Sequence, residues 1–153
     1  MVKEEKVELV WLGFVTALLS LYWLKGPGLA IGSPLWVRFA YQFVHANIWH
    51  LIANVYCIIL IAFNMHQDLR SLAVCYLISC TVPVFDSTPI VGASGICFAL
   101  MGWNVWRVAN KRMYLAWLGA FIIIGFLVPR FAGFTHFWCA LLGVIVSWLL
   151  RKR

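Results

Sequence analysis

Six long apolar blocks, near residues 8–24, 43–65, 69–85, 92–109, 113–129 and 132–150, follow one another with only short polar breaks. About 20 apolar residues wound into a helix cross the ~30 Å hydrocarbon core of a bilayer. No water reaches that core, so every backbone N–H and C=O must be paired within the chain, which leaves helices or a closed barrel. The blocks are long and lack the strict alternation of barrel strands, and therefore predict helices. The expected fold class is all-α: a polytopic bundle of six transmembrane helices forming a single domain over residues 1–153. A composition of 64% hydrophobic and 11% charged residues lies far outside the range of soluble globular domains.

The breaks carry further information. Gly26-Pro27-Gly28 and Pro34 separate the first two blocks. The stretch that follows, with Trp36, Arg38, Phe39 and Tyr41, is amphipathic and is expected to lie at the membrane interface with its aromatic rings at headgroup depth. The first block has no cleavage-site pattern after it and reads as a retained signal anchor.

A formal charge of +7 raises the question of nucleic acid, but the basic residues sit between and beyond apolar blocks rather than as a patch on a soluble face. No nucleic-acid partner is expected. With six spans, Lys3, Lys6, Arg70, Arg107, Lys111, Arg112, Arg151, Lys152 and Arg153 fall on one side, nine of the twelve, and Lys25, Arg38 and Arg130 on the other. The positive-inside rule places both termini in the cytoplasm. The five cysteines (Cys57, Cys75, Cys80, Cys97, Cys139) lie in apolar blocks without CxxC spacing and read as small core residues, with neither a disulfide framework nor a metal site indicated.

The same alternation runs the fourth and sixth blocks inward from the outer face. Ser94, third in its block, and His136, fifth in its own, then share a shallow depth. The second block opens His45-Ala46-Asn47-Ile48-Trp49-His50-Leu51-Ile52-Ala53-Asn54. At 100° per residue His50 and Asn54 are one turn apart on one face, while His45 lies about 140° from His50 and has another task. Polar side chains at membrane depth are costly and mark a function or an interhelical bond. Four of them converging on one leaflet suit hydrolysis: a serine hydroxyl needs a base near neutral pH, and an oxyanion needs N–H donors. The first-turn amide of Ser94 is one such donor. Gly95, Ala99 and Gly102, at i, i+4 and i+7, form a small-residue stripe that lets neighbouring helices approach.

Gly92-Ala93-Ser94-Gly95 followed by Ala99-Leu100-Met101-Gly102, the His45/His50/Asn54 spacing, and His136 with Gly143 seven residues on resemble the rhomboid intramembrane serine proteases over residues 36–143. The resemblance implies a Ser94 nucleophile with His136 as general base. It gives His50, Asn54 and the Ser94 amide as the oxyanion hole, and His45, Gly92, Gly95 and Phe98 as supporting residues. It implies transmembrane protein substrates cleaved near the outer face and entering beside the fifth block, with no metal or cofactor. The compact plan points to a bacterial inner membrane.

Three features depart from the family pattern. Phe98 stands where a tyrosine is frequent, Cys139 stands where a glycine is common, and Val37 separates Trp36 from Arg38. Cys139 is expected to loosen the approach of the fourth and sixth helices. Asp86 is a loop carboxylate weighed as a third triad member and set aside, and His66 reads as a solvated loop residue. The competing readings are a catalytically silent rhomboid-like protein that binds membrane clients, and a small transporter using the histidines as a path.

Overall fold

The computed structural model describes residues 11–15, 17–19, 21, 25–85, 87–128 and 131–151. Among these, residues 11–15, 17–19 and 21 are helical and belong to the first apolar block, the rest of which lies outside the described residues. The helices that follow are α1 (Val37–Ala40), running into a 3-10 turn (Tyr41–Phe43), then α2 (Ile48–Asn64), α3 (Leu69–Cys80), α4 (Ser94–Asn104), α5 (Lys111–Leu127) and α6 (Gly133–Arg151). The described residues contain no sheet, only an antiparallel bridge between Leu29 and Ile90. The fold is all-helical, as expected.

Local chemistry sets the helix ends. Asn47, Asp68 and Asn110 cap α2, α3 and α5 by accepting from the amides of His50, Ser71 and Met113 at 2.9, 2.8 and 3.1 Å. Helix α3 stops before Val82-Pro83, since the residue preceding a proline is steered away from the α region. Helix α4 begins behind Ala93 with no side-chain cap.

The fourth apolar block shrinks to an 11-residue helix and the third to 12 residues. Among the described residues, α6 alone is long and apolar enough to cross a membrane by itself; α1 with its 3-10 turn and α2 pass that test together but bend by 95°. Sequence hydropathy overstates α3 and α4 because it counts their flanking apolar residues, which fold as turns and loop. Their ends are satisfied by the protein instead. Arg38 Nη1 donates to the carbonyls of Cys80 (3.3 Å) and Val82 (2.8 Å) past the end of α3. At the end of α4, Asn104 Oδ1 accepts from Gln67 Nε2 at 2.8 Å. Gln67 in turn accepts on its carbonyl from the Trp11 indole at 2.9 Å, which ties the first block to this corner.

Helix α4 sits at the centre, with Gly95, Ile96, Cys97, Ala99, Leu100, Gly102 and Asn104 buried. It packs chiefly on α6, then on α3 and α2. A Cβ on Gly102 would strike the Ala140 carbonyl, and one on Gly143 would strike the Ala99 carbonyl. The two backbones are thus in direct contact at successive turns. Cys139 does not loosen this approach: its Sγ lies 3.3 Å from where a Gly95 Cβ would stand and is fully buried. A thiol is small enough to fill the space that two glycines would have left.

Tyr41 departs from its expected interfacial position. Trp36 and Phe39 are exposed, but the 3-10 turn rotates Tyr41 inward, where it is fully buried and donates to the Ser79 carbonyl at 2.7 Å. The outer surface is apolar to an extent that only an apolar solvent covers: Trp49, Trp117 and Leu127 are 76%, 62% and 74% exposed.

Two glycines give opposite expectations. Gly143→Ala forces the α4 and α6 backbones apart and lowers stability by about 1–3 kcal/mol. Gly119, with nothing within 4 Å of its missing Cβ, accepts alanine and gains about 0.5–1 kcal/mol from lost chain freedom. Equilibrium unfolding of both variants in mixed micelles checks the pair.

Candidate active site

The chain reaches the start of α4 through a turn that only glycine can make. Gly92 has φ +97, and a Cβ there would stand 2.6 Å from His50 Cε1, 2.7 Å from His50 Nε2 and 3.0 Å from Asn54 Nδ2. Both the conformation and the space exclude a side chain. The imidazole of His50 and the amide of Asn54, one turn apart on α2, therefore lie directly against the backbone two residues before Ser94.

Two further bonds hold this turn. The Gly92 amide donates to the Tyr41 carbonyl at 3.0 Å, and the Ala93 amide reaches His45 Nε2 at 3.5 Å. His45 Nδ1 faces the Phe43 carbonyl at 3.3 Å. An amide donor at Nε2 and a carbonyl at Nδ1 together select the Nδ1–H tautomer. His45 lies in the loop before α2 rather than in the helix where its block put it, and its ring meets His50 edge-on at 5.3 Å. A strut built from Tyr41, Gln42 and Ser79 backs the turn: Gln42 Nε2 donates to Ser79 Oγ at 3.0 Å, and Tyr41 Oη stands 3.5 Å from the Gly95 Cβ position.

Ser94 is the first residue of α4 and His136 the fourth of α6, so both sit nearer their helix starts than the block boundaries suggested. Ser94 Oγ lies 3.1 Å from His136 Nε2. The Phe98 ring, one turn along α4, stacks on the imidazole with centroids 4.1 Å apart and planes 11° from parallel. On the far side, a Cβ on Gly125 of α5 would stand 2.9 Å from His136 Nδ1. Asn54 Nδ2 and His136 Nδ1 are both buried with no hydrogen-bond partner among the described residues. Leaving a buried donor or acceptor unpaired costs about 1–3 kcal/mol.

All the residues selected from sequence, Ser94, His136, His50, Asn54, His45, Gly92, Gly95 and Phe98, gather in this one region. Asp86 lies outside the described residues. His66 is exposed, in a left-handed turn at φ 46 away from the site. Gly125, Tyr41, Gln42 and Ser79 were not anticipated. Gly125 had a signal, because a glycine inside a helical pattern marks a close approach; the other three had none.

A family model described as Rhomboid domain matches residues 33–153, which takes in every member of this site. The chain belongs to the rhomboid family. No curated protein and no solved structure matches it. Rhomboid proteins are membrane-embedded; the family consists generally of serine intramembrane proteases, with inactive relatives among them.

The stack makes a specific expectation. Phe98→Ala removes an aromatic contact worth about 0.5–1.5 kcal/mol beyond its area and frees the His136 ring, whereas Phe98→Tyr keeps it. The thermal midpoint should fall, and the His136 ring resonance broaden, in the alanine variant alone.

Proposed function

We propose that this rhomboid protein is an active intramembrane serine endopeptidase that hydrolyses peptide bonds in or beside transmembrane segments of other membrane proteins. The observation that carries the reading is the 3.1 Å contact between Ser94 Oγ and His136 Nε2, beside an Asn54 amide whose donor is left unpaired. A resting protein gains nothing from that orphan donor. A developing oxyanion would satisfy it.

In this mechanism His136 Nε2 takes the Ser94 proton as Oγ attacks the carbonyl carbon. The negative charge settles on the carbonyl oxygen, where Asn54 Nδ2, a His50 ring N–H and the Ser94 amide at the uncapped start of α4 donate to it. The imidazolium then gives its proton to the leaving amine, and water attacks the Ser94 ester with His136 again as base. The Phe98 face stacked on the ring holds the imidazole plane, and with it Nε2, towards Ser94 Oγ. His45 and Gly92 position the turn, and Gly95 lets Cys139 and Tyr41 close behind it. Substrates enter beside α5. The chain crosses the membrane six times with both termini in the cytoplasm, in a bacterial inner membrane.

Ser94→Ala and His136→Ala should each abolish cleavage of a transmembrane reporter without loss of insertion, and a fluorophosphonate should label the parent protein at Ser94 alone. Asn54→Ala should lower turnover about 10- to 1000-fold without lowering the thermal midpoint, since it removes a buried donor that has no partner among the described residues. A parent protein that neither labels nor cleaves is a silent client-binding relative.

A further inference from the structure

Where α5 starts and α6 ends, at the opposite end of the bundle from Ser94, the geometry points to a binding site for one anionic phospholipid, with an acyl chain in the seam between α5 and α6 and the phosphate between Lys111 and Arg151. The seam is a groove of about 180 Å³ walled by Leu115, Gly119 and Ile122 of α5 and by Phe137, Leu141 and Val144 of α6. The α5 wall repeats at i, i+4 and i+7, one face of the helix. Gly119 opens it, since nothing stands within 4 Å of where its Cβ would be. All the lining residues are apolar. From Leu115 to Ile122 the helix rises about 10 Å, which gives the groove a cross-section of roughly 18 Å². A helix with its side chains is about 10–12 Å across and needs several times that area. A single hydrocarbon chain fits, and the groove's length lies within the roughly 15 Å of hydrocarbon in one leaflet.

At its Val144 end the groove meets a basic corner. The Trp106 indole donates to the Val144 carbonyl at 3.0 Å. Arg151 Nη1 donates to the Trp106 carbonyl at 3.4 Å, and Lys111 Nζ stands 5.9 Å over the Trp106 ring. Two cations from different helices are thus gathered on one residue that is itself bonded to the groove wall. Arg107 and Arg112 adjoin them in sequence, both exposed. Like charges held together repel, and Lys111 and Arg112 also oppose the positive N-terminal end of the α5 dipole. Among the described residues the only carboxylate is that of Asp68, which accepts from the Ser71 amide at 2.8 Å. An anion supplied from outside the chain reverses the sign of these interactions.

The two features select one kind of molecule. A soluble phosphate would answer the corner and leave the groove, and an uncharged lipid would do the reverse. An anionic phospholipid meets both, because its phosphate lies at headgroup depth above a hydrocarbon chain, where basic residues at the membrane surface attract it. The Arg151 guanidinium carries five N–H donors, so its bond to Trp106 leaves others for phosphate oxygens, while Lys111 acts as a point charge. The bound lipid would tie the first turn of α5 to the last turn of α6.

The test is native mass spectrometry of the full-length protein in uncharged detergent, equilibrated with equal amounts of dioleoyl phosphatidylglycerol and dioleoyl phosphatidylcholine. The parent should retain one phosphatidylglycerol per chain, about 10-fold or more in preference to phosphatidylcholine. Lys111→Gln with Arg151→Gln should abolish that preference and leave phosphatidylcholine retention unchanged. Gly119→Leu, which fills the groove, should lower retention of both lipids about 10-fold or more. Glycerol 3-phosphate, a headgroup without chains, should displace neither. A parent protein that keeps the two lipids equally overturns the proposal whatever the variants do. A folded Gly119→Leu protein that keeps phosphatidylglycerol as the parent does overturns it too, and displacement by glycerol 3-phosphate reduces the corner to a phosphate site with no role for the groove. A lipid-free dimer that Gly119→Leu dissociates assigns the groove to a second copy of the chain and overturns the lipid site. None of these readouts depends on the Ser94/His136 reading.

Discussion

Backbone contact between α4 and α6 is the constraint on which the rest depends. In an apolar solvent the burial of apolar side chains yields little, because lipid tails are as apolar as leucine, so helices associate by close packing and interhelical hydrogen bonds. Gly102 against the Ala140 carbonyl and Gly143 against the Ala99 carbonyl put the two backbones in direct contact. At that separation a short serine side chain on one helix reaches an imidazole on the other. One added methyl group at either glycine would part them, and a serine has no length to make up the difference.

The same economy of side chains recurs around the site. Gly92 admits His50 and Asn54, Gly95 admits Cys139, and Gly125 and Gly133 admit each other. Each glycine inside a helix trades helix propensity for proximity, at a cost near 1 kcal/mol per position. Among the described residues the polar groups they bring together are incompletely paired, with Asn54 Nδ2 and His136 Nδ1 as the clearest cases. Polar groups without partners in a low-dielectric interior are destabilising. On the proposed reading the reaction supplies the missing partner, and stability and activity should then diverge at Asn54.

Sequence patterns exposed some of these features and hid others for physical reasons. Ser94, His136, His50 and Asn54 stood out because ionisable or amide side chains are rare in apolar blocks, and helical phase alone put His50 and Asn54 on one face. The extent of α3 and α4 was hidden, since hydropathy does not distinguish an apolar helix from an apolar turn, and Val82 to Phe85 and Val105 are as apolar as the helices they follow. Tyr41 looked interfacial because an aromatic beside Arg38 suits headgroups; its burial depends on a 3-10 turn that no periodicity announces. Gln67 and Asn104 were invisible as a pair, being 37 residues apart with nothing local to link them. Tertiary pairing of that kind leaves no trace in a single sequence.

The beginning of α4 differs from those of α2, α3 and α5. Helices α2, α3 and α5 each spend a side chain of Asn or Asp on their first amides, which lowers the positive potential there. Helix α4 has only Ala93 before it, and the loop leading in is held from outside itself, by the Tyr41 carbonyl at Gly92 and by His45 at Ala93. A capping Asp at position 93 would stabilise the helix and would place a carboxylate where the proposed mechanism puts the oxyanion. Holding the turn from a distance keeps the helix N-terminus electropositive and open to the ligand charge. The buried loop from Gly92 to Ala93 therefore takes its order from a different part of the chain, the segment Val37–Phe43 and His45, so that the geometry at Ser94 is fixed by residues some 50 positions earlier in the sequence.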